Sequence, residues 1–153
     1  MTDKETLQYV DECLENYPSN LIRIEVLNKD LQLLRSSSDV HAQNYLRIHN
    51  NDSVNRGSHS DPVVSYVLQI EKVEEEIKRL QRITEPISKM IQDLKTPYAT
   101  DDSLNNDFIK ILGLYYFGRN SVQIVLEITR WSRAAFFRKK KQLALLAKNY
   151  LGY

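Results

Sequence analysis

Tyr115-Tyr116-Phe117-Gly118-Arg119-Asn120-Ser121 and, further on, Ser132-Arg133-Ala134-Ala135-Phe136-Phe137-Arg138-Lys139-Lys140-Lys141 decide how this chain is read. The first stretch is an aromatic helix end followed by a break. Gly118 predicts the stop of a helix over about 104–117, which carries Phe108, Ile111, Leu112, Tyr115 and Tyr116. Ser121 predicts the cap of a short helix over 122–129, with Val122, Val125, Leu126 and Ile128 as its apolar contacts. Ser132 predicts the cap of a third helix that continues to Tyr150, with Gly152 too late to limit it. An apolar helix, a turn, a short helix, a turn and a basic helix form, in that order, the pattern of a helix-turn-helix.

With Ser132 at the cap, Phe136, Leu143, Ala147 and Tyr150 follow one face of the third helix, in register with Trp131. That face is expected to pack on the other two helices, with Trp131 also packed. Arg133, Ala134, Phe137, Arg138 and Lys141 fall on the outward side, and Arg130 adds a cation in the turn. The small Ala134 permits close approach to bases. Arginine can form two parallel bonds to guanine, so Arg133 and Arg138 are the expected base readers. Lys139, Lys140 and Lys148 are expected phosphate contacts. Whether Phe136 or Phe137 is the core residue is open on the spacing alone.

Charge is distributed unevenly. The formal net charge is +1, yet seven cations and no carboxylate side chain follow Glu127, which leaves 14 basic against 20 acidic residues in the remainder. An acidic body repels nucleic acid and a basic end attracts it. The 153 residues suffice for one domain or two small ones, and four glycines with four prolines predict long helices. Period-two apolar alternation is nearly absent, so the fold class expected is all-α.

Working back from the C-terminal module over 104–153, residues 95–103 form a linker and 62–94 a long central helix. Asp61 and Pro62 mark the start of that helix. Val63, Tyr66, Ile70, Val73, Ile77 and Leu80 step by three and four, and Ile83, Ile87, Met90 and Leu94 resume after a stammer. A kink or break is expected around Thr84–Pro86. One apolar stripe serves either packing within the chain or self-association, and both readings stay open. Residues 36–61 are polar and predict a flexible loop, with Leu46 and Ile48 as one extended anchor. Residues 1–35 predict a helical hairpin. Its first helix is capped by Asp3 and stopped by Pro18, and its second carries Leu21, Ile24, Leu27, Leu31 and Leu34.

Other chemistries find little footing. His41, His49 and His59 lack paired-ligand spacing, and Asp101-Asp102 and Glu74-Glu75-Glu76 sit in no metal or nuclease motif. No glycine-rich loop cradles phosphate, and Cys13, the single cysteine, is expected in a core. The chain is therefore expected to be neither an enzyme nor a cofactor or metal protein. A lone cysteine, with no signal-like or membrane-spanning apolar run, predicts a cytoplasmic location without membrane contact.

The stretch from Tyr116-Phe117-Gly118 to Ser121, then Ser132-Arg133 and the basic run, resembles the helix-turn-helix of sigma-factor region 4. It is more closely similar to small phage transcriptional activators of the RinA and ArpU type. Tyr17-Pro18, the polar middle and the long central helix add to the likeness, though residues 104–150 carry most of it. Three positions depart from region 4. Thr129 and Arg130 stand where an apolar residue and a turn glycine are usual, and Leu126 stands where a small residue is common. The resemblance implies a sequence-specific activator of phage late genes in the bacterial host cytoplasm. It would bind double-stranded DNA at a late promoter region as a homo-oligomer and contact host RNA polymerase. A DNA-packaging adaptor of the small-terminase kind, and a helical interaction protein without sequence preference, are the alternatives.

Overall fold

A computed structural model describes the backbone of residues 1–51, 62–96 and 102–153, and the side chains of residues 1–40, 63–96 and 103–153. The fold is all-α, with no strand among the described residues. The chain divides into two compact units, one formed by residues 1–21 and 82–153, the other by residues 22–81. Among the described residues, no helix is long and apolar enough to cross a membrane.

Helix α1 (Asp3–Asn51) opens on a capping box. The Thr2 amide donates to Glu5 Oε2 at 2.7 Å and the Glu5 amide donates to Thr2 Oγ1 at 3.3 Å. Thr2 is thus the cap, and Asp3 is the first helical residue. The bonds from Thr2 hold the Glu5 carboxyl below its ordinary range.

The hairpin expected over 1–35 is not found, because α1 runs straight through Pro18. Proline there leaves the Leu14 carbonyl without its helical donor, which ordinarily ends a helix. Packing outweighs that loss. Leu14 and Val10 are fully buried one and two turns before the proline. Tyr17 stacks on Phe117 at 5.4 Å, and its hydroxyl lies 2.7 Å from Ser88 Oγ. Beyond the proline, Ser19 Oγ donates to the Asn16 carbonyl at 2.9 Å.

The loop expected from residue 36 is also helix, as far as Asn51. No glycine or proline occurs between Pro18 and Asn51, and extending an existing helix avoids the unfavourable nucleation step. Polar composition alone is a poor stop signal. Residues 52–61, including the expected Asp61 cap, lie outside the described residues, as do the side chains of Leu46, Ile48 and the three histidines.

Helix α2 (Pro62–Leu94) has the bounds expected for the central helix, and it continues unbroken across Pro86. Its apolar stripe is used within the chain. In the 22–81 unit, Ile77 and Leu80 cluster with Leu27 and Leu31, flanked by Ile24, Ile70 and Val73. Arg35 pairs with Glu74 at 2.7 Å across the same unit. In the other unit, Ile87, Met90 and Leu94 join Val10, Cys13 and Leu14 in the main core.

The C-terminal helices complete that core. Helix α3 (Asp102–Ile111) leads into a π-helical segment (Leu112–Phe117), followed by α4 (Val122–Thr129) and α5 (Arg133–Leu151). Of the linker expected over 95–103, Asp102 and Ser103 belong to α3, and residues 97–101 lie outside the described residues. Phe108, Ile111, Tyr116, Val125, Phe136 and Leu143 are each at most 4% exposed. Full burial of side chains this size stabilises by about 1.5–3 kcal/mol each.

Candidate nucleic-acid interface

The turn ahead of α4 is built on a widened helix end. The Gly118 amide donates to the Gly113 carbonyl at 2.9 Å, five residues back. A Cβ at Gly118 would lie 2.7 Å from the Gly113 carbonyl oxygen and 2.9 Å from that of Leu114. Gly118 therefore stops the helix by close approach. Its φ is −77°, and the left-handed residue is Arg119 at +52°. The Asn120 side-chain amide then donates to the Leu114 carbonyl at 2.9 Å and closes the turn.

Both serine caps form as expected. Ser121 Oγ accepts from the Ile124 amide at 3.4 Å and Ser132 Oγ accepts from the Ala135 amide at 3.1 Å. Between α4 and α5 the chain turns through Arg130, Trp131 and Ser132. Arg130 takes φ +62° and ψ +18°, the left-handed conformation a turn glycine normally supplies. Thr129, in the usual apolar position, braces the same turn. Its hydroxyl donates to the Val125 carbonyl at 2.7 Å and accepts weakly from the Trp131 amide at 3.4 Å. Thr129 and Arg130 thus form the turn without a glycine.

Helix α5 has two distinct faces. Phe136, Leu143 and Ala147 are fully buried. Phe136 meets Tyr115 edge-on at 5.4 Å. Phe137 is 45% exposed, which makes Phe136 the core aromatic and Phe137 the outward one. Trp131 packs against the core as expected. Ser132, Arg133, Ala134, Phe137, Arg138 and Lys141 are all exposed, as is Arg130 in the turn. The Arg133 guanidinium carbon sits 5.6 Å from the Phe137 ring centre, so the pair forms one cationic-aromatic surface. No acidic residue occupies the first turn of α5, which leaves its N-terminus favourable to anions.

Lys139, Lys140 and Lys148 are turned differently from the phosphate contacts expected of them. Lys139 pairs with Asp107 and lies 4.5 Å over the Trp131 ring. Lys140 pairs with Asp11 at 3.1 Å and also lies over Tyr115 and Tyr116. Lys148 reaches Asp3 at 3.7 Å. Asp11 accepts in addition from the Tyr116 hydroxyl at 2.6 Å. Burial, then this bond, push the Tyr116 phenol well above its ordinary range. These lysines clamp α5 to acidic residues of α1 and α3. Their inward turn follows from spacing that the basic run conceals: Lys139 and Lys140 follow Phe136 by three and four residues, on its side of the helix.

Helix α5 ends on Gly152, whose φ is +83° and whose amide donates to the Asn149 carbonyl at 3.2 Å. That glycine does limit the helix, one residue after Leu151. No protein-family profile, curated protein sequence or solved structure matches this chain.

Proposed function

We propose that this chain is a sequence-specific DNA-binding transcriptional activator of phage late genes, with α5 entering the major groove. One observation carries the reading. On α5 the inward lysines are engaged by aspartates, while Arg133, Arg138 and Lys141 stay exposed around the small Ala134. A basic row with a gap for close approach, held by a packed opposite face, suits a base-reading helix. Arg133 and Arg138 are assigned to base edges, Phe137 to a thymine methyl, and Ser132, Arg130 and Lys141 to phosphates. Lys139 and Lys140 act as positioning residues that hold the helix. The setting, a late promoter region served by host RNA polymerase in the bacterial cytoplasm, comes from the resemblance to RinA and ArpU activators.

Anisotropy titrations against a selected duplex and a random one test this directly. Arg133→Ala and Arg138→Ala should each lose about 1–3 kcal/mol on the selected site and relax its base preference. Lys141→Ala should weaken both duplexes alike and lower the salt slope by about 1. Equal affinity of the unmodified protein for both duplexes would replace the activator with a non-specific binding protein.

A further inference from the structure

Helix α1 carries a second apolar stripe that the described residues leave uncovered. Ile22 is 63% exposed, Val26 46%, Leu33 67% and Val40 55%. Val26, Leu33 and Val40 recur at intervals of seven, with Ile22 four residues before Val26. At 3.6 residues per turn they share one face, about 140° around the helix from the buried Leu27 and Leu31. The α2 stripe, the other candidate for self-association, is occupied within the chain at Ile70, Val73, Ile77 and Leu80.

We infer that the α1 stripe pairs two copies of the chain as an antiparallel two-helix seam across residues 22–33. The charges beside the stripe choose both the partner and its direction. In heptad terms Val26 and Leu33 are a positions, and Ile22 and Lys29 are d positions. Arg23 and Asp30 are then e, and Glu25 and Gln32 are g. A parallel pair sets Lys29 against the second copy's Lys29, and Glu25 against its Asp30, in both halves of the interface. Every one of those contacts is repulsive.

An antiparallel pair, centred between Leu27 and Asn28, removes all of them. Ile22 then faces the second copy's Leu33, and the Lys29 stem covers its Val26. Arg23 meets the second copy's Asp30 twice by symmetry, and Glu25 meets the neutral Gln32. Such an interface is self-complementary, as a two-fold dimer requires. Within one chain these charges are lightly held: Lys29 lies 3.3 Å from Glu25 and Arg23 lies 3.9 Å from Glu76, with both cations at least 60% exposed. The pairing stands apart from the DNA reading. If both hold, the operator halves are inverted repeats.

Sedimentation of the full chain without DNA tests the pairing. A dimer that forms with rising concentration is expected, followed up to about 1 mM, where an association of about 4 kcal/mol already populates it. Leu33→Glu should abolish it, with the circular dichroism of the helices unchanged. Asp30→Arg discriminates direction. It should weaken an antiparallel dimer about tenfold, since two attractive contacts become repulsive. Arg23→Asp combined with Asp30→Arg should restore it. A monomer at the highest concentration overturns the proposal, as does a dimer that Leu33→Glu leaves intact. A dimer strengthened by Asp30→Arg overturns it too, because the new arginine would then be facing Glu25 of a parallel partner.

Discussion

At Arg130 a β-carbon sits where the chain turns left-handed between α4 and α5. That conformation costs a non-glycine residue about 1–2 kcal/mol, partly offset by the freedom glycine loses on folding. Arg130→Gly is therefore expected to stabilise the fold by about 0.5–1 kcal/mol while weakening DNA binding, read by thermal melts and by titration. Stability gained together with affinity lost would assign the strained arginine to function. Gly118 presents the opposite case. Gly118→Ala puts a methyl group into two carbonyl oxygens, and a loss of about 1–3 kcal/mol in denaturant unfolding is expected. The residue types at both turns were legible in the sequence, but their reasons were not. A glycine needed for close approach and one needed for a positive φ are the same letter.

The Asp11, Tyr116 and Lys140 group makes two further predictions. Lys140→Ala should lower stability by about 1–3 kcal/mol, because the buried side of Asp11 loses a charged donor. Its effect on the salt slope of DNA binding should be small, unlike that of Lys141→Ala. The Tyr116 phenol, raised by burial and by its bond to Asp11, contributes stability that is fully present below the unfolded tyrosine value of about 10. That contribution is lost as pH rises beyond it, since the unfolded chain releases the proton first. Stability measured across the alkaline range should fall less steeply in Tyr116→Phe than in the unmodified protein. An identical slope would remove Tyr116 from the account.

Among the elements, α4 and α5 are easier to read from sequence than α1. Ser121 and Ser132 mark α4 and α5 because a cap is a local event, decided by one hydroxyl and one amide. Helix α1 is harder because Pro18 is a local breaker, while the packing that carries the helix past it is not local. Tyr17 finds Phe117 far along the chain, on the segment that ends at Gly118. Removing the breaker should accordingly help: Pro18→Ala is expected to stabilise by about 2–3 kcal/mol, since the Leu14 carbonyl regains a donor. No gain in the melting temperature would mean that the proline ring itself contributes packing there. The second stripe on α1 is visible in the sequence as a seven-residue spacing. It is masked by the denser stripe of Ile24, Leu27, Leu31 and Leu34, which interleaves with it along the same turns.

For the molecule as a whole, the −6 body and +7 end are less separate than the sequence suggests. Lys139, Lys140 and Lys148 are paired with aspartates, so the outward charge of the C-terminal segment rests on Arg130, Arg133, Arg138 and Lys141. Such pairing orients α5 as well as neutralising acid, and it leaves a narrower and more specific cationic face than a run of lysines implies. The measurement that tests this most directly is selection of bound duplexes from a random library. The unmodified protein should enrich a base motif, and the Arg133→Ala, Arg138→Ala double variant, still folded, should enrich none at the positions those arginines read. Recovery of the same motif by both proteins, or of no motif by the unmodified one, would contradict the assignment of α5 as the reader.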